Sequence, residues 1–585
     1  MQALDACLRQ ATDSGTVPGA VVCVALRGQV VWQRAYGAAG LTPEYRPMQY
    51  DTLFDIASLT KAARLYLYPC YRYSVYQPCA PLAAGHWYYQ PATGSAQPDY
   101  ARFRSGNDVT AAQPQHIHLI AACGTGMGSL AGMLKTRGYH VTGSDQHVYP
   151  PMSTQLQAWG IPLYNGFSAT HLMPRPDLVI VGNAVSRDNV EAMATEQAGI
   201  LVMSFPQALA HFFIQERHSV VVTGTHGKST TTALIAWLLQ HAGYEPGFFV
   251  GAVMRNIDGT FGLGQGPHFV VEGDEYDSAY FDKGPKFLHY RPRTAVLTSV
   301  EFDHADIYRD LDHVCSAFAR FIPLLPADGC LVACHDAPHV RELLATVPIA
   351  APIQTYGLEA GAEWQAVAWH ADAAGTHLTV HHRGQPFGAF TSPLFGPHNV
   401  QNVLAAMVVA QRLGLPPGQI AAGLATYTHI KRRCEVRGVV HGITVLDDFA
   451  HHPTAVRVTL EGVRQAYPGA RLWAVFEPRS ATSRRAVFQQ EYAQAFRSAD
   501  RVLIADVYRH REQLAPEVRF SPKTLVETLR AQGVDAWFYS TTDEILYHLC
   551  RNVQATDVIL IMSNGGFDNI HQRLLVALEQ APAQG

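Results

Sequence analysis

The chain has 585 residues, 48% apolar and 16% charged, which is a globular composition long enough for three or four domains. Its 44 Lys and Arg against 48 Asp and Glu leave a net charge of −4 with no basic run, so a nucleic-acid partner is not expected. No apolar stretch reaches the about 18 residues of a membrane span, the opening MQALDACLRQ lacks the texture of a secretory signal, and the 10 scattered cysteines read as reduced thiols of a cytoplasmic protein.

Along the chain, residues 1–63 read as folded, with strand-like VVCVALRG and VVWQRAYG. Residues 64–115 are crowded with Tyr and Pro and keep neither a period of 2 nor of 3.6. Proline at that density breaks both regular structures, so an irregular connector is expected there. From His116 the pattern alternates strand and helix: IHLIAAC, a glycine turn into GSLAGML, then HVTGSD, LVIVGNA and ILVMS. That order predicts a doubly wound α/β unit. A second unit starts near His218 with SVVVTGTHGKSTTTALIAWLL and continues through FVVEGD and TAVLTSV to a helix near Asn399. A third begins near Lys431, with strands ITVLDD, LWAVFEP, RVLIADV and VILIMSN. Cys330, Cys334 and His335 crowd together in GCLVACHD. That segment alternates like a strand and no second Cys/His pair follows at zinc spacing, so a strand is expected and not a metal site.

The most informative motif is Thr223-Gly224-Thr225-His226-Gly227-Lys228-Ser229-Thr230. An apolar strand delivers a glycine turn to a helix start, where free N–H groups and the helix dipole favour phosphate. Lys228 adds a point charge for terminal phosphates, and the Ser229 hydroxyl suits Mg²⁺. The turn is shorter than a common Walker loop, because the residue five before Gly227 is Val222 and not Gly. A second glycine turn, Gly124-Thr125-Gly126-Met127-Gly128, also enters a helix, with Asp145 about 20 residues on. Taken alone it permits a dinucleotide-dependent oxidoreductase.

TGTHGKSTTT resembles the nucleotide loop of the Mur ligases and the related folylpolyglutamate synthases. Further matches follow in order: Glu272 in EGDEYDSAYFDK, His304 in SVEFDHADIY, His398, Asn399 and Asn402 in GPHNVQNVLAA, Arg433 in RCEVRG, and Asp447 and Asp448 in DDFAHHPTAV. The resemblance spans about residues 116–580. It implies a three-domain α/β architecture: a Rossmann-like UDP-binding domain at 116–215, a central P-loop ATPase domain at 216–430 and a Rossmann-like C-terminal domain at 431–585. It implies ATP and Mg²⁺, with Lys228, Glu272 and His304 catalytic and Ser229, Glu272 and His304 as metal ligands. Gly224, Thr225, Gly227, Lys228, Ser229, Thr230, His398, Asn399, Asn402, Arg433 and Asp448 would hold the nucleotide. Arg suits a phosphate and Asp a ribose hydroxyl pair; His-Asn at a helix start is also a common cap.

In this family the first domain grips a UDP-sugar, which implies a sugar-nucleotide role for Gly124, Gly126, Gly128, Ser144 and Asp145, with His451 and Arg479 also at the substrate. The blocks SDQHVYPPMSTQL, HYRP and SNGGF are similar to members that add a peptide. The implied substrates are UDP-N-acetylmuramate and the recycled murein tripeptide L-alanyl-γ-D-glutamyl-meso-diaminopimelate. Gly284-Pro285 after Lys283, EPRSATSRR, and Asp568-Asn569 after SNGGF depart from that pattern, and addition of free L-alanine stays open.

At the front, Ser58-Leu59-Thr60-Lys61 follows FDIA. One helical turn sets the Lys beside the Ser, where a neutral amine accepts its proton. VPGAVVCVALRGQVVWQRAYG and ASLTKA resemble the start of the serine β-lactamase and esterase family, but the resemblance stops near Ala63 and neither Tyr-x-Asn nor Lys-Thr-Gly follows. Residues 1–63 are expected to be a truncated remnant without hydrolase activity, with a Ser58 hydrolase as the competing reading.

Overall fold

The computed structural model describes the backbone of three strands near the front (Gly19–Leu26, Gln29–Gly40 and Arg46–Pro47) and residues 114–580 apart from 149, 151, 373–374 and 509–513. The first three strands pair antiparallel, as the two apolar runs there suggest. Ser58, Lys61 and the proline-rich connector lie outside the described residues. The chain separates into two compact units, 1–109 and 110–585. Among the described residues the second holds three large sheets and a two-stranded one, Asp277–Ala279 with Asp282–Pro285.

Its first sheet is wholly parallel, in the order Leu163–Asn165, His140–Asp145, His116–Ile120, Leu178–Val181, Leu201–Ser204. Both faces are covered, so the strands are buried residue after residue and do not alternate.

The second sheet has ten strands. Its middle is parallel: Gly247–Met254, His268–Glu272, His218–Thr223, Thr294–Leu297, Cys330–Cys334, Ile353–Gly357, then Trp364–Asp372. GCLVACHD therefore forms a strand, with Cys330 and Cys334 buried in it. Gly259–Gly262 pairs antiparallel at one edge, and Gly375–His382 and Gln385–Ser392 continue antiparallel at the other.

The third sheet runs Glu435–Val440, Ile443–Asp448, Val558–Met562, Leu472–Phe476, Arg501–Ala505, Asp535–Tyr539, parallel except for the first pair. Among the described residues no helix is long and apolar enough to cross a membrane.

The centre of the ten-stranded sheet positions the site. Val220, Val221 and Val222 are fully buried, and β-branched residues suit a pleat covered on both faces. The strand ends at Thr223 and the helix Lys228–His241 starts five residues later. Thr230 to Ala236 of that helix are buried, which fixes its first turn against the sheet. The helix Pro397–Arg412 packs beside it, starting two residues before the expected Asn399 because proline suits the first turn.

Candidate active site

The nucleotide loop depends on two left-handed glycines. Gly224 has φ 119° and Gly227, the N-cap, has φ 80°. A Cβ on Gly224 would lie 2.2 Å from Thr298 Oγ1, and one on Gly227 would lie 2.3 Å from Asn402 Oδ1. Only glycine takes these angles and lets the backbone come so close. The loop is then tied to the segment after Thr294–Leu297: Thr225 N donates to Ser299 O at 2.9 Å and Thr298 Oγ1 donates to His226 O at 2.6 Å.

Lys228 folds back over the loop. Its Nζ donates to Gly224 O at 2.7 Å, to Thr225 O at 3.2 Å and to Glu275 Oε2 at 2.7 Å. Burial opposes its charge, but the Glu275 and Asp274 carboxylates outweigh that and hold its pKa above the ordinary value. Asp274 in turn pairs with Lys286 at 2.7 Å; burial works against its ionisation, and Lys286, Lys228 and His304 outweigh it, so its carboxyl stays well below the usual range.

Ser229 Oγ donates to Glu272 Oε1 at 2.9 Å, and Gly251 N donates to Glu272 Oε2 at 2.8 Å. Glu272 and His304, expected to share a metal, both line the cleft with different immediate neighbours. Both Glu272 oxygens are engaged by a hydroxyl and an amide, while His304, held at φ 54°, groups with Asp274 and Glu275, their ligating atoms within 4.8 Å of one another. Oxygen donors from Ser229 and Glu272 beside a phosphate-type loop fit Mg²⁺, which prefers hard ligands.

The helix Lys228–His241 meets Pro397–Arg412 where Thr231 Oγ1 donates to Asn402 Oδ1 at 3.2 Å; Asn402 Nδ2 donates to Asn399 Oδ1 at 3.1 Å and Asn399 Nδ2 to Phe395 O at 2.7 Å. His398 is buried near Arg433, and both effects bring its pKa down to about 4. From the third sheet, Asp448 accepts from Cys434 N and Ala450 N, each at 2.8 Å, and Arg433 lies over the Phe449 ring at 5.4 Å. Burial pushes the Asp448 carboxyl up against the pull of Arg433.

These groups share one cleft of about 1440 Å³. Thr225, Gly227, Lys228, Ser229, Thr230, Glu272, His304, His398, Asn399, Asn402, Arg433, Asp448 and His451 line it, and Thr125 and Gly126 of the first domain's glycine turn reach it too. His451 stands 3.9 Å from Asp303. Other expected site residues sit apart from this lining. Gly224 shapes the loop from behind. Gly124 caps the helix Thr125–Thr136, and a Cβ on Gly128 would lie 2.2 Å from Met152 Sδ. Asp145 accepts from Cys123 N at 2.8 Å and so braces the turn. Ser144, expected at the sugar nucleotide, is fully buried at the end of its strand, its hydroxyl donating to the buried Glu191. Arg479 stacks on Tyr508 at 3.6 Å and faces Glu477 at 3.6 Å.

Sequence reasoning missed Glu275, Asp274 and Lys286 around Lys228. The first two lay inside EGDEYD, where the density of carboxylates after a strand was the available signal; Lys286 carried none.

Family models match the chain in three consecutive blocks: a Mur ligase family catalytic domain at 116–217, a Mur ligase middle domain at 222–410 and a Mur ligase glutamate ligase domain at 432–565. A β-lactamase model matches residues 4–63. The UDP-N-acetylmuramate–L-alanyl-γ-D-glutamyl-meso-2,6-diaminoheptandioate ligase of Escherichia coli K12 is 39% identical over 463 residues, 79% of this chain and 98% of the relative. The UDP-N-acetylmuramate–L-alanine ligase of Alkaliphilus metalliredigens is 32% identical over 79% of this chain and 97% of its own length. A murein peptide ligase from Psychrobacter arcticus superposes with a TM-score of 0.61 at 36% identity, covering 80% of this chain and all of that one. With the strand–glycine–helix loop, Asn399, Asn402, Arg433 and Asp448 set along one cleft and three family models in order, the chain belongs to the Mur ligase family of ATP-using ligases.

Proposed function

We propose that the chain joins UDP-N-acetylmuramate to the tripeptide L-alanyl-γ-D-glutamyl-meso-diaminopimelate at the expense of ATP, in the reuse of murein peptides in the cytoplasm. The observation that carries this reading is the 39% identity, across 98% of its length, with a ligase of that name, against 32% with an L-alanine-adding relative.

The reaction runs in two displacements. The lactyl carboxylate of the muramate attacks the γ-phosphorus of ATP; the bond to ADP breaks and an acyl phosphate forms. The tripeptide amine then attacks the acyl carbon, loses a proton, and inorganic phosphate leaves from the tetrahedral intermediate. The protein's part is positioning and charge neutralisation. Lys228 would leave Glu275 to meet the γ-phosphate. Loop N–H groups at the helix start would hold the phosphates. Arg433 and Asp448 would close over the nucleotide from the C-terminal domain, with Asn399 and Asn402 beside it. Ser229 and Glu272 would hold Mg²⁺, and His304 with Asp274 and Glu275 forms a second group of ligating type. Bound there, Mg²⁺ would neutralise phosphate charge. Exclusion of water by the closed cleft would protect the acyl phosphate. Thr125 and Gly126 support a place for the sugar nucleotide at the first domain's end of the cleft.

The test is phosphate release with UDP-N-acetylmuramate and ATP, offering the tripeptide or L-alanine as amine. Turnover with the tripeptide is expected to exceed that with alanine by at least about a hundredfold, since a site built for a longer polar partner leaves groups unpaired with a short one. Preference for alanine would replace this reading with that of the alanine-adding relatives.

A further inference from the structure

One carboxylate in the cleft serves two lobes at once, and neither the mechanism nor the family match uses it. Glu301 follows Thr294–Leu297 and is fastened to the nucleotide loop by its backbone: Glu301 N donates to Thr225 Oγ1 at 2.9 Å, and that hydroxyl lies 3.2 Å from Glu301 O. Its side chain turns to the C-terminal domain. Thr454 Oγ1, in the first turn of the helix Pro453–Ala466, donates to Glu301 Oε2 at 2.6 Å. The same oxygen faces His226 Nε2 of the loop at 3.4 Å and His452 Nδ1 of the C-terminal domain at 3.8 Å. The two rings sit 4.8 Å apart across it. Neighbouring contacts run along the same seam: Thr482 Oγ1 donates to Asp303 Oδ1 at 2.7 Å, and His452 Nε2 lies 3.2 Å from Phe302 O. Burial opposes ionisation of Glu301, but His226, Thr454 and His452 outweigh it and hold the pKa down at about 2.

We propose that Glu301 is a positioning residue that couples the nucleotide loop to the C-terminal domain, setting the register in which Arg433 and Asp448 meet the nucleotide. It touches no reacting atom; it acts through Thr225 and His226 on one side and Thr454 on the other. The proposal rests on the loop being the ATP site. A misplacement of about 1 Å between lobes costs on the order of a hundredfold in rate, so a single lost tie of this kind should be visible in turnover.

The experiment is a double-mutant cycle in the full chain: Glu301→Ala, Thr454→Ala and both together, with Glu301→Gln as the conservative variant. Each alanine variant is expected to lower kcat about tenfold while the KM for UDP-N-acetylmuramate stays within about twofold, and the double variant to be no slower than the slower single one. Glu301→Gln, which still accepts from Thr454, should recover most of the loss. Amide exchange provides a readout independent of turnover. With a non-hydrolysable ATP analogue on the loop, residues 452–457 should gain protection in the wild type and not in either alanine variant. If the two losses multiply in the double variant, or if the analogue protects 452–457 equally in all forms, Glu301 does not couple the lobes. A wrong amine substrate would appear instead as absent turnover in the wild type with the exchange pattern intact.

Discussion

Among the described residues the chain passes from a strand through a glycine turn into a helix at Gly124–Gly128 and again at Gly224–Ser229, and these two turns differ in what surrounds them. Around the first, the bracing carboxylate Asp145 is taken up by Cys123 N, and Met152 packs against Gly128. Around the second, Lys228, Ser229, Glu272, Asp274, Glu275 and Lys286 form a dense set of charges. Both helix starts offer N–H groups to an anion. The side chains next to them decide whether the anion is held or made to react.

The largest effect should come from removing the charge that separates the two turns. Lys228→Ala is expected to cut ligation by about a thousandfold, in line with loss of a group aimed at transition-state charge. The dissociation constant for UDP-N-acetylmuramate should stay within about twofold, because that ligand is proposed to sit at the other turn. Turnover and calorimetry on one preparation check both halves. Next, Gly227→Ala forces a left-handed alanine, which costs about 1–2 kcal/mol, and drives its Cβ to 2.3 Å from Asn402 Oδ1. A fall in kcat/KM for ATP of roughly fiftyfold is expected, from strain plus a displaced asparagine, measured with the sugar nucleotide saturating. Glu272→Ala should raise the Mg²⁺ needed for half-maximal rate about tenfold, read from a metal titration of initial rates; an unchanged titration would take Glu272 out of the metal site. The smallest effect is on the quiet turn. A Cβ on Gly126 meets Phe205 at 3.7 Å, ordinary contact, so Gly126→Ala should leave the melting temperature nearly unchanged. It should raise the KM for the sugar nucleotide about fivefold if backbone approach to the ligand matters there. No change in KM would mean that this turn supports the fold and nothing more.

Both turns were legible because local chemistry announces them: VVV before a glycine, then a helix-forming run, needs no distant partner to be understood. The parallel strands around them were legible for the same reason. The outer strands of the ten-stranded sheet were not. WQAVAWHAD and GTHLTVHH carry polar residues on an open face, and although Trp364–Asp372 pairs antiparallel with the very next strand, Gly375–His382, the two residues between them in sequence, Ala373-Ala374, are not the Asn-Gly or Asp-Gly pair that announces a hairpin. The same limit applies at the site. Glu272 was singled out of EGDEYD, but the carboxylate that pairs with Lys228 is Glu275, three residues on, and which of several acids meets a lysine is decided by the path of the chain after the strand ends. Ser144 shows the converse. The family resemblance implied a sugar-nucleotide role for it, while its side chain is enclosed beside Glu191, a partner 47 residues away that the sequence does not announce.

The Lys228–Glu275 contact has a consequence for nucleotide affinity. The carboxylate is a tethered competitor, present at an effective concentration no free anion can match. A ligand gains Lys228 only by offering more than one carboxylate does. On the proposed nucleotide site, inorganic phosphate, with nothing to add from Arg433, Asp448 or the asparagines, would gain little from the exchange, whereas a nucleoside triphosphate would gather all of those contacts together. The pair would then act as a threshold, raising the ATP concentration needed for occupancy and lowering the standing of every smaller anion that would otherwise sit in the loop.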